Sequence, residues 1–320
     1  MRAKAFQAIY SHLVCHEDDV AATMNKFQHR LEGLNRLQIY QLSLLPAFVD
    51  MVQRANEEAK EKFNPTEEEL NPSCRVQENM VLCALSNNAD YQKRSDKLHV
   101  NWENQSFELR RIYNELRQLP HYRDYENSEA DFDIDLDFVL RLFRYMVNNE
   151  VLRQTIVDRN LSWEDDFDQI AQYNFTMLKE LTETSLIEEA LPKMFDSHDE
   201  HDEELYTLAR TLIRGSLQDM DANEELIKRH LTNWDMERVP IMDIVLLNMA
   251  ITEFTSCPSI PVVVTMNEYV ELAKEYSTDK SRIFVNGIMD RIYSYLNSQK
   301  RVVKVGRGIP AEDDSSEEER

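Results

Sequence analysis

Five glycines, Gly33, Gly215, Gly287, Gly306 and Gly308, are all that this chain of 320 residues contains. Glycine supplies the left-handed and close-approach backbone that tight hairpins and phosphate-cradling loops need. No loop of the P-loop or dinucleotide type can be written with those five positions. Gly306 and Gly308 form a GxG, but it sits in a polar C-terminal stretch with no strand before it. Scarce turn residues and abundant Leu, Glu, Lys, Gln and Met together predict an all-α protein. At 42% apolar the chain can bury the core of one large domain or two small ones.

Cys15, Cys74, Cys83 and Cys257 are scattered, and none forms a CxxC pair. Neither a disulfide framework nor a zinc site is expected, and reduced thiols in a cytoplasmic protein are. No basic segment leads into a short apolar run and no stretch of about 18 apolar residues occurs, so neither secretion nor membrane spanning is expected. The formal net charge of −23 is unevenly spread: residues 1–14 hold Arg2 and Lys4 and no acid, and residues 264–307 hold eight bases against five acids. The rest is strongly acidic, ending in residues 312–320 at −5. Two basic ends around an acidic middle predict a positive face on a negative body.

Apolar spacing at Ala3, Phe6, Ile9/Tyr10 and Leu13/Val14 predicts a first helix. A long helical pattern runs from Leu34 to about Phe63 and stops at Asn64-Pro65, after which residues 64–75 read as a loop. A helix over "FELRRIYNELRQLP" ends at Pro120, an apolar-periodic region follows over 136–191, and another run spans Leu205–Leu231. Trp234 opens the last third: a helix at 240–255, a turn at Pro258/Pro261, then two helices separated at Ser277-Thr278-Asp279.

Several clusters invite chemistry and are better explained without it. His198, Asp199, His201 and Asp202 crowd a polar stretch, read here as a solvated loop rather than a metal centre. "DFDIDLD" places acids at 131, 133, 135 and 137 but lacks the glycine and distal glutamate of a calcium loop, so its acids are assigned to a helix entry. His12, His16, His29 and His99 have no nucleophile context, and no GxSxG elbow or His-Glu-x-x-His helix occurs. The expectation is a protein with neither enzymatic activity nor a cofactor.

The stretch "NEYVELAKEYSTDKSRIFVNGIMDRI", residues 267–292, is different. Phe284, Ile288, Ile292 and Tyr295 share a helical stripe, so Phe284 has an ordinary core explanation. Yet Gly287 thins the helix one turn later, which lets a backbone or a flat base approach. Asn286 offers an amide, and Lys280 and Arg282 sit at a helix entry whose free N–H groups favour phosphate. That stretch resembles the C-terminal signature of the NusB family of bacterial transcription antitermination factors. "ERVPIMDIVLLNMAITEF", with Glu253 near its end, resembles the family's preceding helix, and "ELYTLARTLIRG" the helix before that. "RAKAFQAIYSHL" resembles the family's opening helix. The chain departs from the family in beginning with Arg2 and Lys4 rather than a cluster of arginines.

The resemblance implies an all-α fold of two helical bundles, with residues 1–30 and 200–297 as an RNA-binding core. It leaves 31–199 as a helical insertion, and 298–320 is expected to be a polar, acidic, disordered tail. It implies binding of boxA-like single-stranded RNA from ribosomal leader transcripts, together with the ribosomal protein NusE, within the antitermination complex of RNA polymerase. It places Arg2, Gln7, Tyr10, Lys280, Ser281, Phe284 and Asn286 on the RNA, with Glu237 and Asp243 toward NusE. Lys4 and Arg282 add cations, and Gly287 adds close approach. Aromatic stacking with cationic backbone contacts is how single strands are held. The rival reading is a non-enzymatic protein–protein adaptor on the same fold that has lost RNA binding.

Overall fold

The computed structural model describes residues 1–182, 190–231 and 236–306, and no strand occurs among them. Trp234 and residues 307–320, which include most of the expected tail, lie outside the described residues. Helices α1 (Arg2–Val14) and α2 (Val20–Leu42) are followed by α3 (Leu44–Lys60), the single turn α4 (Glu67–Leu70), α5 (Met80–Asn87) and α6 (Ala89–Leu98). Then come α7 (Ser106–Leu116), α8 (Pro120–Glu126), α9 (Phe132–Val147), α10 (Glu150–Val157) and α11 (Phe167–Lys179). The last described helices are α12 (Glu200–Gln218), α13 (Met220–His230), α14 (Ile241–Ser256), α15 (Val262–Tyr276) and α16 (Asp279–Ser298).

With glycine scarce, side chains begin the helices. Asn79, Asn88, Asp131, Asn149, Asp199 and Thr278 each accept a first-turn N–H as N-caps of α5, α6, α9, α10, α12 and α16. Asp131 and Asp199 therefore account for two acidic runs as helix starts. The run at 196–204 is not a loop throughout, because α12 begins inside it. At the far ends, His16, His99 and Lys300 adopt the left-handed conformation that glycine usually fills.

Three expected helices are divided. The pattern over 34–63 breaks at Ser43, where Pro46 lacks the N–H that would bond back to Leu42, and a new first turn tolerates it. Ser43 Oγ donates to the Tyr40 carbonyl at 2.7 Å and accepts from Trp102 Nε1 at 2.9 Å. Among the described residues, the 136–191 region holds α9, α10 and α11, with Asn149 starting α10. The run at 205–231 divides at Asp219 into α12 and α13. Conversely, the expected loop at 64–75 contains α4, held by a capping box between Thr66 and Glu69.

The chain forms two compact units, Met1–His29 with the chain from Asp196 onward, and Arg30–Phe195. In the second, α3 packs on α5, α7 and α9, and α9 also packs on α10 and α11. Its core is aliphatic and aromatic, with Leu44, Leu45, Phe48, Ile112, Tyr122, Phe143 and Phe167 fully buried.

The first unit is built around α14. From Val245 to Phe254 every residue of this helix is buried, as expected of a helix that neighbours surround rather than one lying on a surface. α1, α12, α13, α15 and α16 pack on it. α12 comes so close that a Cβ on Gly215 would lie 2.6 Å from Thr252 Cγ2, which is why glycine stands there. Beside that contact, Asn248 donates to the Ser216 carbonyl at 2.9 Å and accepts from Asn223 at 2.7 Å, joining three helices through one buried amide. At the other end, Lys304 Nζ donates to the carbonyls of Glu253 (3.4 Å) and Cys257 (2.9 Å). Residues 301–305 thus cap the C-terminus of α14, so the expected tail does not begin directly after α16.

Candidate nucleic-acid interface

α1 is fixed at its start by Arg2. Its Nε donates to Glu253 Oε2 at 2.8 Å, its Nη2 to Oε1 at 2.9 Å, and its Nη1 to Glu268 at 3.2 Å. Glu253 is wholly buried and also accepts from Thr265 Oγ1 at 2.8 Å and the Tyr269 hydroxyl at 3.1 Å. Burial pushes the Tyr269 phenol well above its ordinary range, and Glu253 beside it adds to the shift, so the hydroxyl stays a donor. The bidentate pair ties α1 to α14 and α15. This corrects the expectation for Arg2: its planar fork is committed to a buried carboxylate and does not present itself to phosphate.

Farther along α1, Gln7 Nε2 donates to the Tyr276 hydroxyl at 3.2 Å, and Lys4 Nζ donates to Gln7 Oε1 at 3.2 Å. The Phe6 ring lies 4.8 Å from that of Tyr276 and 6.2 Å from that of Tyr10. Lys4, Gln7 and Tyr10 are half-buried. Tyr276 ends α15, one turn before Lys280, so this face of α1 adjoins the entry of α16.

At that entry Thr278 Oγ1 accepts from Ser281 N at 3.3 Å, and the Ser281 hydroxyl lies 2.9 Å from Ser277 Oγ and 3.0 Å from Thr278 Oγ1. Ser281 is buried and serves the cap, which corrects its assignment to the RNA-facing set. Lys280, Arg282 and Asn286 are exposed and have no hydrogen-bond or ion-pair partner among the described residues. Val285, Ile288, Met289 and Ile292 turn inward, leaving Phe284 half-buried at the edge of the stripe. A Cβ on Gly287 would meet nothing within 4 Å. The same surface exposes 72% of Ile283, a residue that sequence reasoning passed over; its place off the inward stripe was the available signal.

The partner-facing expectation divides. Glu237 is exposed in the 3-10 turn Met236–Arg238. Asp243 is buried in the first turn of α14 with its Oδ1 lacking a hydrogen bond, so it is corrected from a rim charge to an interior group near a helix N-terminus. Among the described residues no group of three or more His, Cys, Asp or Glu is placed to hold a metal ion, and no helix is long and apolar enough to cross a membrane.

The NusB family model matches residues 167–294. The transcription antitermination protein NusB of Thermodesulfovibrio yellowstonii is 33% identical over 125 residues, covering 39% of this chain and 76% of that protein. The chain belongs to the NusB family. The NusB of Salinibacter ruber is 41% identical over 101 residues, 32% of this chain and 63% of that protein. That of Chloroherpeton thalassium is 42% identical over 94 residues, 29% and 43% of the two. The chain therefore spans less than two thirds of the length of these last two relatives. A solved structure of T. maritima NusB is 30% identical and covers 49% of this chain and 89% of that one, at a TM-score of 0.27. The family match begins at Phe167, inside the region expected to be inserted, and does not extend to α1.

Proposed function

We propose that the chain is an RNA-binding transcription antitermination factor that acts with NusE on boxA-like leader RNA of ribosomal transcripts. The observation that carries this reading is the entry of α16. There two exposed cations, a half-buried aromatic ring, an exposed amide and a glycine facing open space follow one another along about two turns. Phosphate is taken up by Lys280 and Arg282 and by the free N–H groups of the helix start, Phe284 stacks on a base, and Asn286 reads a base or ribose. The side of α1 that carries Lys4, Gln7 and Tyr10 extends the surface. Arg2 and Ser281 act beneath it, by fixing α1 and by capping α16. Glu237 is the partner-facing charge toward NusE, and no catalytic step is assigned to the chain.

The test is titration of a labelled boxA-like single strand, with and without NusE. The expected result is saturable binding that NusE tightens and that Lys280→Gln/Arg282→Gln weakens. Binding of NusE with no measurable RNA affinity would instead support the adaptor reading.

A further inference from the structure

α12 and the turn that leads into α15 line a groove of about 1010 Å3 within the first unit. Its two walls differ in chemistry. One is a single face of α12, where Glu200, Glu204, Leu208 and Thr211 follow one another at three- and four-residue steps with Glu203 and Leu205 beside them. The other is apolar, formed by Pro258, Ile260 and Pro261 with Val264 from the first turn of α15. Pro258 and Val264 are exposed, and Leu205, Leu208, Ile260 and Pro261 are half-buried, so apolar atoms of both walls meet solvent.

The groove is one-sided in charge even when paired groups are counted. Asp199, Glu200, Glu203 and Glu204 line it, and Arg2 is the only lysine or arginine lining it among the described residues. Arg2 is itself committed to Glu253 and Glu268. Adding those two acids, and Lys304 bonded close by to the Cys257 carbonyl, leaves two cations against six carboxylates. Asp199 serves the cap of α12, but Glu200, Glu203 and Glu204 are exposed, and their carboxylates have no hydrogen-bond or ion-pair partner among the described residues. The dipole of α12 favours acids in its first turn, yet Glu204 lies beyond that turn and the apolar wall owes nothing to it. Charge also selects the occupant. A second copy of this chain brings a formal −23 and residues 312–320 bring −5, while RNA brings its phosphates, so all three are repelled at long range.

We propose that this groove docks a basic amphipathic helix of a partner protein, with Lys or Arg side chains against Glu200, Glu203 and Glu204 and an apolar stripe against Leu208, Ile260 and Val264. From Glu200 to Thr211 the acidic wall runs about 16 Å, three turns of helix, and a docked helix repeats its cations and apolar residues at the same steps. The groove shares no residue with the α16 surface or with Glu237, and the proposal does not rest on the RNA or NusE reading.

The probe is a labelled synthetic peptide of about four helical turns, with leucines along one face and lysines at i, i+4 beside them, titrated against the full chain by fluorescence anisotropy. Saturable binding is expected, with a scrambled peptide of the same composition binding at least roughly tenfold more weakly, because scrambling keeps the charge and removes the apolar stripe. Glu200→Gln/Glu203→Gln/Glu204→Gln should weaken binding by roughly tenfold. Glu57→Gln/Glu61→Gln/Glu129→Gln removes as many charges from exposed positions of the other unit and should have little effect. Val264→Asn, which alters no charge, should weaken binding several-fold. All these positions are exposed, so the melting temperatures should match the parent. Bound peptide should slow hydrogen exchange over 199–211 and 256–264. Absence of saturable binding, affinity that ignores the order of the peptide, or equal weakening by the two triple variants would reduce the interaction to bulk charge and overturn the proposal. So would self-association of the chain that protects the same two segments, since a second copy would then be the occupant.

Discussion

A side chain added at Gly287 faces open space, so nothing inside the protein requires glycine there. Alanine in mid-helix is better than glycine by roughly 0.5–1 kcal/mol. Gly287→Ala should therefore raise the melting temperature, while a base approaching the thinned surface would meet the new methyl and bind less tightly. A stabilised variant with unchanged RNA affinity would remove Gly287 from the interface. Phe284→Ala should cost about 1–3 kcal/mol of RNA affinity through the absence of stacking. Because the ring is half-buried, its melting temperature must be measured on the same sample. A fall in stability with unaltered affinity would return Phe284 to the core. The thiols offer a separate check. Cys257 is buried in an apolar setting that pushes it up to about 11, with Glu253 adding to the shift, whereas Cys15, Cys74 and Cys83 are exposed. At pH 8 a thiol reagent should modify three cysteines in the native protein and the fourth only after unfolding. Four rapid equivalents would contradict the packing around the end of α14.

Among the elements, α14 is the axis on which the first unit is assembled, and its two ends are treated differently. Its C-terminal turn holds Glu253, which gathers Arg2, Thr265 and Tyr269, while Lys304 answers carbonyls at the same end. Truncating Arg2 leaves a wholly buried carboxylate with hydroxyl donors only. Removing one partner of a buried pair typically costs about 3–5 kcal/mol, so Arg2→Ala should destabilise the protein strongly. Its effect on RNA affinity at a temperature where the variant remains folded should be small. A variant that kept its melting temperature and lost RNA binding would restore Arg2 to the contact surface. The middle of α14 is set by Gly215, whose missing side chain lets α12 approach Thr252.

For the whole molecule, charge segregation sets the salt dependence expected of the proposed RNA binding. A net charge of −23 repels a polyanion at long range, so binding depends on local cations and should fall steeply as salt rises. Lys280→Gln and Arg282→Gln should each reduce the slope of log affinity against log salt, by about 0.7–1 for every phosphate that is no longer neutralised. An unchanged slope in the double variant would place the phosphate-binding cations elsewhere.

Much of this molecule is legible without its tertiary structure. Scarce glycine and 3.6-residue periodicity decide an all-helical chain, since helices close their own hydrogen bonds and need few special turns. Prolines and capping residues mark many ends, although Ser43, Asn149 and Asp219 divide runs that periodicity joins. Helical spacing places Ile288 and Ile292 on the inward stripe of α16, whereas Tyr295, expected on the same stripe, is exposed, and Val285, Met289 and Leu296 complete the buried face. What spacing cannot say is which polar groups meet across the fold. Arg2 and Glu253 are 251 positions apart, and only their encounter turns an expected phosphate ligand into a strut. Ser281 becomes a cap and Asp243 an interior group for the same reason. Periodicity reports which face of a helix is apolar, whereas the partner of a charge is decided by which helices pack together, and packing joins residues without regard to their distance along the chain.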